Sequence, residues 1–201
     1  MATTTTTRTA ARASSNGRRA SPILAKLGEE VQTFDAMRSL PIGLAEGVRR
    51  ESSNLLNEIL ADSTILYALY KKAHWNVAGP TFYQLHLLFD KHAEEQLELV
   101  DLLAERVQAL GGIAVGDPRH AAELTTIERA PDGAEDVPAQ ITRLLKAHET
   151  VIGKVRDGIE TTEKSKDWGT NDLLMGDVLR RHELQVWFIG EHLVDVPLVE
   201  D

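Results

Sequence analysis

A chain of 201 residues with 42% hydrophobic side chains has enough apolar surface for one compact domain plus appendages, which excludes disorder along its whole length. The absence of cysteine removes disulfide frameworks, thiolate zinc sites and cysteine nucleophiles, so any metal must be held by His, Asp or Glu. The net charge of −9 is uneven: residues 1–28 contain Arg8, Arg12, Arg18, Arg19 and Lys26 and no acid, so this +5 leaves −14 on the remainder, and an acidic body that repels nucleic acid follows a basic arm that attracts phosphate.

Residues 1–22 are rich in Thr, Ala, Ser and Arg with almost nothing large and apolar to bury, the composition of a flexible, disordered basic tail. The segment has no apolar block of the secretory type, and no later run reaches the roughly 18 apolar residues of a membrane span. A cytoplasmic protein without a membrane partner is therefore expected. Residues 23–45 are transitional, because Pro41 and Gly43 interrupt any helix that begins near Ile23. A bundle domain is expected over residues 46–195, with a C-terminal tail at 196–201.

Between Glu46 and Asn76, Leu55, Leu56, Ile59, Leu60, Leu66, Leu69, Tyr70 and Ala73 recur at three- and four-residue spacing, which predicts one buried helical face. Gly79 and Pro80 end this first helix, and Thr81 with Gln84 has the pattern of a capping box opening the second. That second helix runs from Phe82 to Leu110, where Gly111 and Gly112 stop it, a length of roughly 43 Å. A connection of about 25 residues follows, with room for a short helix over Pro118–Leu124. Asp136 and Pro138 start a third helix with an apolar stripe of Ile141, Leu144, Leu145, Val151, Ile152, Val155 and Ile159. A break around Asp167–Thr170 leads to a fourth helix near Asn171–Leu193. No strand-like alternation competes, so the expected fold is all-α, a ferritin-like four-helix bundle with a long crossover between helices two and three.

The second helix carries the chemistry. His86 and Asp90 stand four residues apart, as do Asp101 and Glu105, so each pair presents two metal-capable groups on adjacent turns. Taken singly, either pair reads equally as a solvated helix face. The eleven residues from Asp90 to Asp101 turn the helix by roughly 1100°, only about 20° past three full turns, so all four groups share a face. The same interval separates the pairs by roughly 16 Å along the axis, beyond the reach of one metal centre. Two such helices packed antiparallel about a two-fold axis would bring His86 and Asp90 of one chain to Asp101 and Glu105 of the other. His74 lies six residues before Pro80 and His86 six after, so a helical hairpin sets both histidines at one height.

The stretch KKAHWNVAGPTFYQLHLLFDKHAEEQLELVDLLAERVQALGG, residues 71–112, resembles the signature region of the Dps family, and the likeness extends over most of residues 46–193. The resemblance implies a hollow dodecamer that oxidises Fe(II), with hydrogen peroxide preferred to dioxygen, and stores ferric mineral. It implies ferroxidase centres between two-fold related subunits, with His74, His86 and Asp90 from one chain and Asp101 and Glu105 from the other. Trp75 matches the aromatic residue near such centres, and core packing accounts for it as well. Iron is the expected metal, and zinc suits the same ligands. No Glu-x-x-His pair occurs in the chain, which sets it apart from bundles that build an intrasubunit di-iron centre on that motif.

Family members admit iron through an acidic three-fold pore near the junction of helices three and four, where this chain has Glu163, Asp167 and Asp172, interrupted by Lys164, Lys166 and Trp168. Members that bind DNA use basic extensions, which makes Arg8, Arg12, Arg18 and Arg19 the expected phosphate contacts. A solubilising tail or a transit-type segment has the same composition. Protection of DNA from oxidative damage follows from the first reading. The alternative is a nucleoid-compacting structural protein whose metal site is vestigial or zinc-filled. His92, His120, His148, His182 and His192 have no ligand-like spacing and receive no role.

Overall fold

The computed structural model describes residue 28 and residues 30–195. The expected basic tail, with Arg8, Arg12, Arg18 and Arg19, and the expected C-terminal tail at 196–201 lie outside the described residues. The chain divides at Val31 into two units, and the unit from Gln32 onward holds every element discussed below.

The described elements are helical: α1 (Glu46–Asn76), α2 (Phe82–Leu110), α3 (Pro118–Leu124), α4 (Val137–Ser165), α5 (Trp168–Asp172), a π-helical segment (Leu173–Leu179) and α6 (Arg180–Gly190), followed by one 3-10 turn. Helices α1 and α2 form a long antiparallel hairpin, and α4 packs against α1 and against the composite helix running from α5 to α6. Leu56, Ile59, Leu60, Leu66 and Tyr70 of α1 meet Leu85, Phe89, Leu103 and Val107 of α2 and Ile141, Val151 and Val155 of α4 in a core closed by Leu174, Val178 and Ile189. Each fully buried side chain of this size stabilises the fold by roughly 1.5–3 kcal/mol. The all-α bundle with its long crossover, short helix included, is as the sequence pattern indicates.

The helix ends differ in one respect from the sequence expectation. Thr81 stands at the N-cap of α2, but its side chain accepts no capping hydrogen bond; its backbone is not extended (φ −96°, ψ 12°), whereas a capping side chain works from the β region. At the other end Gly111 takes φ +90°, and an added Cβ would stand 2.4 Å from Arg38 O. Only glycine fits this close approach. Arg49 donates to Leu110 O and to Arg38 O, each at 2.7 Å, which satisfies a carbonyl left over at the helix end and ties residues 32–40 to it.

The crossover is anchored by a buried carboxylate. Asp62 of α1 is 0% exposed; it accepts from Thr125 Oγ1 at 2.7 Å and Thr126 N–H at 2.8 Å and pairs with Lys154 of α4 at 2.7 Å. One side chain thus joins α1, α4 and the residues after α3. A polar side chain this deeply buried costs stability unless its oxygens are paired in this way.

The fourth bundle helix begins at Trp168, nearer the break than the expected Asn171, and is not a regular α-helix. Thr170, Leu174, Val178 and His182 are all 0% exposed at four-residue steps. In a regular α-helix each such step drifts by about 40°, so three would carry the last residue about 120° from the first, off the core face. The π segment takes back that drift through its wider i→i+5 turns, and so keeps His182 inside.

Loss of the Asp62 anchor removes one partner from a buried pair, which costs about 3–5 kcal/mol. Urea denaturation of Asp62→Ala should show that loss in the midpoint, and a change within error of zero would refute the anchoring role.

Candidate metal centre

The hairpin places His74 near the end of α1 beside His86 in the second turn of α2. Their rings stack with centroids 3.8 Å apart and planes 21° from parallel. His74 Nδ1 lies 2.7 Å from His86 O, and His86 Nδ1 lies 3.0 Å from His74 O. A carbonyl oxygen can only accept, so each ring carries its proton on Nδ1 and donates it across the hairpin. In the neutral ring this tautomer leaves Nε2 with its lone pair, the form that ligates a metal, held in orientation by the other nitrogen.

His74 Nε2 lies 3.9 Å from Asp90 Oδ1. Lys71, one turn before His74, donates to that same oxygen; this bond, against an opposing desolvation, holds the Asp90 carboxyl below its ordinary range. The carboxylate is thus anionic and already faces a cationic group, with the His74 imidazole 3.9 Å away. Phe82 flanks His86, ring centroids 5.1 Å apart. Trp75 is 70% exposed with the Lys71 ammonium 5.8 Å from its ring centre, so core packing does not account for it within one chain.

Asp101 and Glu105 lie further along the same helix and are exposed. The structure sets His74 against His86 and 3.9 Å from Asp90 and leaves Asp101 and Glu105 apart, and among the described residues no group of three metal-capable side chains of one chain is placed to hold an ion. Tyr83, Leu87, Asp90, Glu94, Leu97, Asp101 and Glu105 fall within about 40° either side of one line down α2 at 100° per residue. Tyr83, Leu87 and Leu97 on this stripe are 71%, 50% and 52% exposed. Apolar side chains thus stand exposed among the acids along this face.

At the α4–α5 junction, Glu163 and Asp172 are exposed, while Asp167 is 1% exposed. Asp167 caps α5 through Thr170 N–H at 3.2 Å and Thr170 Oγ1 at 2.6 Å and pairs with Arg106 of α2 at 2.6 Å. Burial alone would raise its pKa; the Thr170 bonds, a bond from Ser52 and the Arg106 charge together hold it low. Asp167 is therefore engaged inside the junction and faces no opening in the single chain. Arg106 was not singled out in the sequence because its partner lies 61 residues away.

A second constellation joins histidines that the sequence left without a role. Tyr70 of α1 is 0% exposed, its hydroxyl lying 2.5 Å from His148 Nε2 of α4 and 3.2 Å from His92 Nδ1 of α2. His148 Nδ1 lies 2.9 Å from His182 Nδ1 of α6. Beside them Gln96 donates to Gln185, which donates to Glu95, each at 2.8 Å. Burial depresses His92 to about 4 and His182 to about 3, and burial together with the neighbouring His182 and His92 holds His148 well below the ordinary value. The only sequence signal was that each occupies a core-facing position of its helix; mutual proximity is a property of the fold.

The comparisons with known proteins agree with this architecture. The family model described as a ferritin-like domain matches residues 53–199. A "DNA protection during starvation protein" from Halobacterium salinarum is 32% identical, the match covering 85% of this chain and 90% of that protein. The solved structure of DpsC from Streptomyces coelicolor superposes with a TM-score of 0.84 at 55% identity, covering 86% of this chain and 100% of that one. A Vibrio cholerae structure, described as a Dps protein of a broad superfamily of ferritin-like diiron-carboxylate proteins, gives a TM-score of 0.73 at 26% identity over 79% of this chain and 99% of that one. Among the described residues no helix is long and apolar enough to cross a membrane.

The buried histidines predict an acid response. Unfolded histidine titrates near ~6.5, whereas His92 and His182 in the fold do so at about 4 and about 3. Below pH ~6.5 the unfolded chain binds protons that the folded chain refuses, so stability is lost as pH falls through this window, by up to ~1.4 kcal/mol per pH unit for each histidine. Urea midpoints should fall between pH 7 and 5 in wild type and fall less in His182→Leu; equal slopes would contradict a neutral buried His182.

Proposed function

We propose, on the premise that this chain belongs to the ferritin-like proteins and among them to the Dps family, that it is a miniferritin which oxidises Fe(II) at centres shared between two subunits. The observation that carries this reading is the pair of crossed His74 and His86 hydrogen bonds, which commits both Nδ1 atoms and leaves both Nε2 atoms available, that of His74 3.9 Å from Asp90. In a two-fold pair, the exposed Asp101 and Glu105 of a second chain complete the set. Two imidazoles and three carboxylates suit Fe(II) as substrate, because anionic oxygen ligands favour its oxidation to the harder Fe(III). Zinc fits the same donors and would compete with the substrate.

Each residue then has a definable task. His74 and His86 offer neutral nitrogen ligands whose orientation does not change on binding. Asp90 exchanges the Lys71 ammonium for the incoming cation, and the displaced ammonium supplies a proton donor at the edge of the centre. Asp101 and Glu105 add two negative charges from across the interface. Hydrogen peroxide accepts one electron from each of two ferrous ions; its O–O bond breaks, and two protons complete two waters. The ferric product passes to mineral inside a dodecameric shell, with Asp172 and Glu163 as the acidic residues on its entry route. The protein is read as cytoplasmic, and oxidation of iron by peroxide without release of radicals protects DNA.

A second reading, a nucleoid-compacting protein that contacts DNA, rests on the acid-free arm with Arg8, Arg12, Arg18 and Arg19 and on a relative named for DNA protection. Many weak arms on one assembly multiply into retention even where one contact is salt-sensitive.

Three measurements separate these readings. His74→Ala with Asp101→Ala should slow the oxidation of Fe(II) by peroxide by about 10–100-fold or more; an unchanged rate rejects the centre. The single variants His74→Ala and Asp101→Ala, co-assembled in equal amounts, should regain about a quarter of wild-type centres, since half of the two-fold pairs are mixed and each of those rebuilds one of its two sites. No recovery would mean that the ligands act within one chain. In gel shifts, removal of residues 1–22 should abolish DNA retardation at low salt; unchanged retardation would acquit the arm.

A further inference from the structure

The Tyr70–His148 contact lies in the middle of the bundle, away from any surface, and the iron chemistry described above does not use it. A phenol buried in an apolar core needs a single acceptor to be satisfied. Here the hydroxyl lies between two imidazoles, His148 Nε2 at 2.5 Å and His92 Nδ1 at 3.2 Å, and a third imidazole stands behind His148. Three histidines from three different helices converge on one tyrosine, where leucines would fill the space at less cost in desolvation.

The proton positions follow from the contacts. Tyr70 donates along its shorter contact to His148 Nε2, His92 Nδ1–H donates to the Tyr70 oxygen, and His148 Nδ1–H donates to His182 Nδ1. Transfer of the phenol proton to His148 disturbs none of these. The new imidazolium donates from Nε2 back to the tyrosine oxygen and from Nδ1 to His182, while His92 continues to donate to that oxygen. The chain is thus arranged to take up one proton in place, without water and without a side chain turning.

Such an arrangement suits one-electron oxidation. A tyrosine that loses an electron becomes so acidic that its proton must leave at the same moment, and a neutral base already bonded to it receives that proton. Tyr70 also has a nearby electron acceptor. It lies four residues before His74 on α1, one turn or about 6 Å of rise. Its ring leans on Phe89, centroids 6.2 Å apart, and Phe89 adjoins Asp90 in the sequence.

We infer that Tyr70 is redox-active and supplies the second electron for peroxide reduction when only one ferrous ion occupies the neighbouring ligand set, its proton passing to His148. The inference rests on the ferroxidase reading. One ferrous ion, one Tyr70 phenol, one hydrogen peroxide and two protons from solvent give one ferric ion, one phenoxyl radical and two waters, with the phenol proton held on His148. The O–O bond breaks with both electrons supplied inside the protein, so no hydroxyl radical leaves. A later ferrous ion returns an electron to the phenoxyl, which recovers its proton from His148, and the cycle closes. The burial of Tyr70 keeps the radical from reacting with solutes.

The test uses the full-length assembled protein with one Fe(II) per centre and equimolar hydrogen peroxide, frozen within the first turnover and read by electron paramagnetic resonance. An organic radical is expected, narrowed when the protein is produced with ring-deuterated tyrosine. The chain has three tyrosines, Tyr67, Tyr70 and Tyr83. The double variant Tyr67→Phe with Tyr83→Phe should keep the signal, and Tyr70→Phe should lose it and release more spin-trapped hydroxyl radical. If Tyr70→Phe does not assemble, labelled wild type and the double variant decide the matter between them. A signal that deuterated tyrosine leaves unchanged, that disappears in the double variant, or that survives Tyr70→Phe overturns the inference. Iron oxidation with no organic radical overturns it too and leaves the ferroxidase reading standing, whereas wild type that oxidises no Fe(II) fails both.

Discussion

An α-helix advances 1.5 Å and turns about 100° with each residue, and in this protein that regularity governs what one chain can do alone. Helix α2 is continuous from Phe82 to Leu110, so Asp90 and Asp101 share a face yet remain roughly 16 Å apart. No side-chain rotation closes such a gap. The hairpin turn at Gly79 solves half of the problem by returning the chain so that His74 meets His86. In the proposed centre the other half comes from a second copy of the same helix, and Tyr83, Leu87 and Leu97 stand exposed along the face that carries Asp90, Asp101 and Glu105. That proposal makes the chemistry depend on assembly.

Within the bundle the opposite constraint applies. Polar groups that meet in the core must satisfy one another, because water does not reach them. Tyr70, His92, His148 and His182 Nδ1 pair at distances of 2.5–3.2 Å, while His182 Nε2 stays buried without a partner, and the π segment before α6 keeps His182 on the inner face. The departure from regular α-helix and the buried polar centre are therefore one feature seen at two levels. Asp62 at the crossover and Asp167 at the α4–α5 junction follow the same rule, each an acid that is tolerated inside because a cation and several donors surround it.

Much of this was legible before any coordinates. Apolar periodicity located α1, α2 and α4, paired glycines marked the end of α2, and Asp136 with Pro138 marked the start of α4. These are local signals, written within a few residues of the structure they specify. Thr81 shows their limit: the pattern of a capping box is present, but the backbone of the preceding turn denies the side chain its capping position. Asp167 shows another. Its place in an acidic junction pointed outward, whereas Arg106, brought from another helix, holds it inside.

Local signals along the chain suffice for the helices, the crossover and the interval between the His86–Asp90 and Asp101–Glu105 pairs, because helical geometry converts residue intervals directly into angles and distances. Packing was needed to settle which nitrogen of His74 and His86 donates, since the carbonyl that takes each proton lies across the hairpin. It alone gathered His92, His148 and His182 around Tyr70. Those residues are separated by 22, 78 and 34 positions along the contacts that join them, and no local rule relates side chains so far apart until packing has placed their helices side by side.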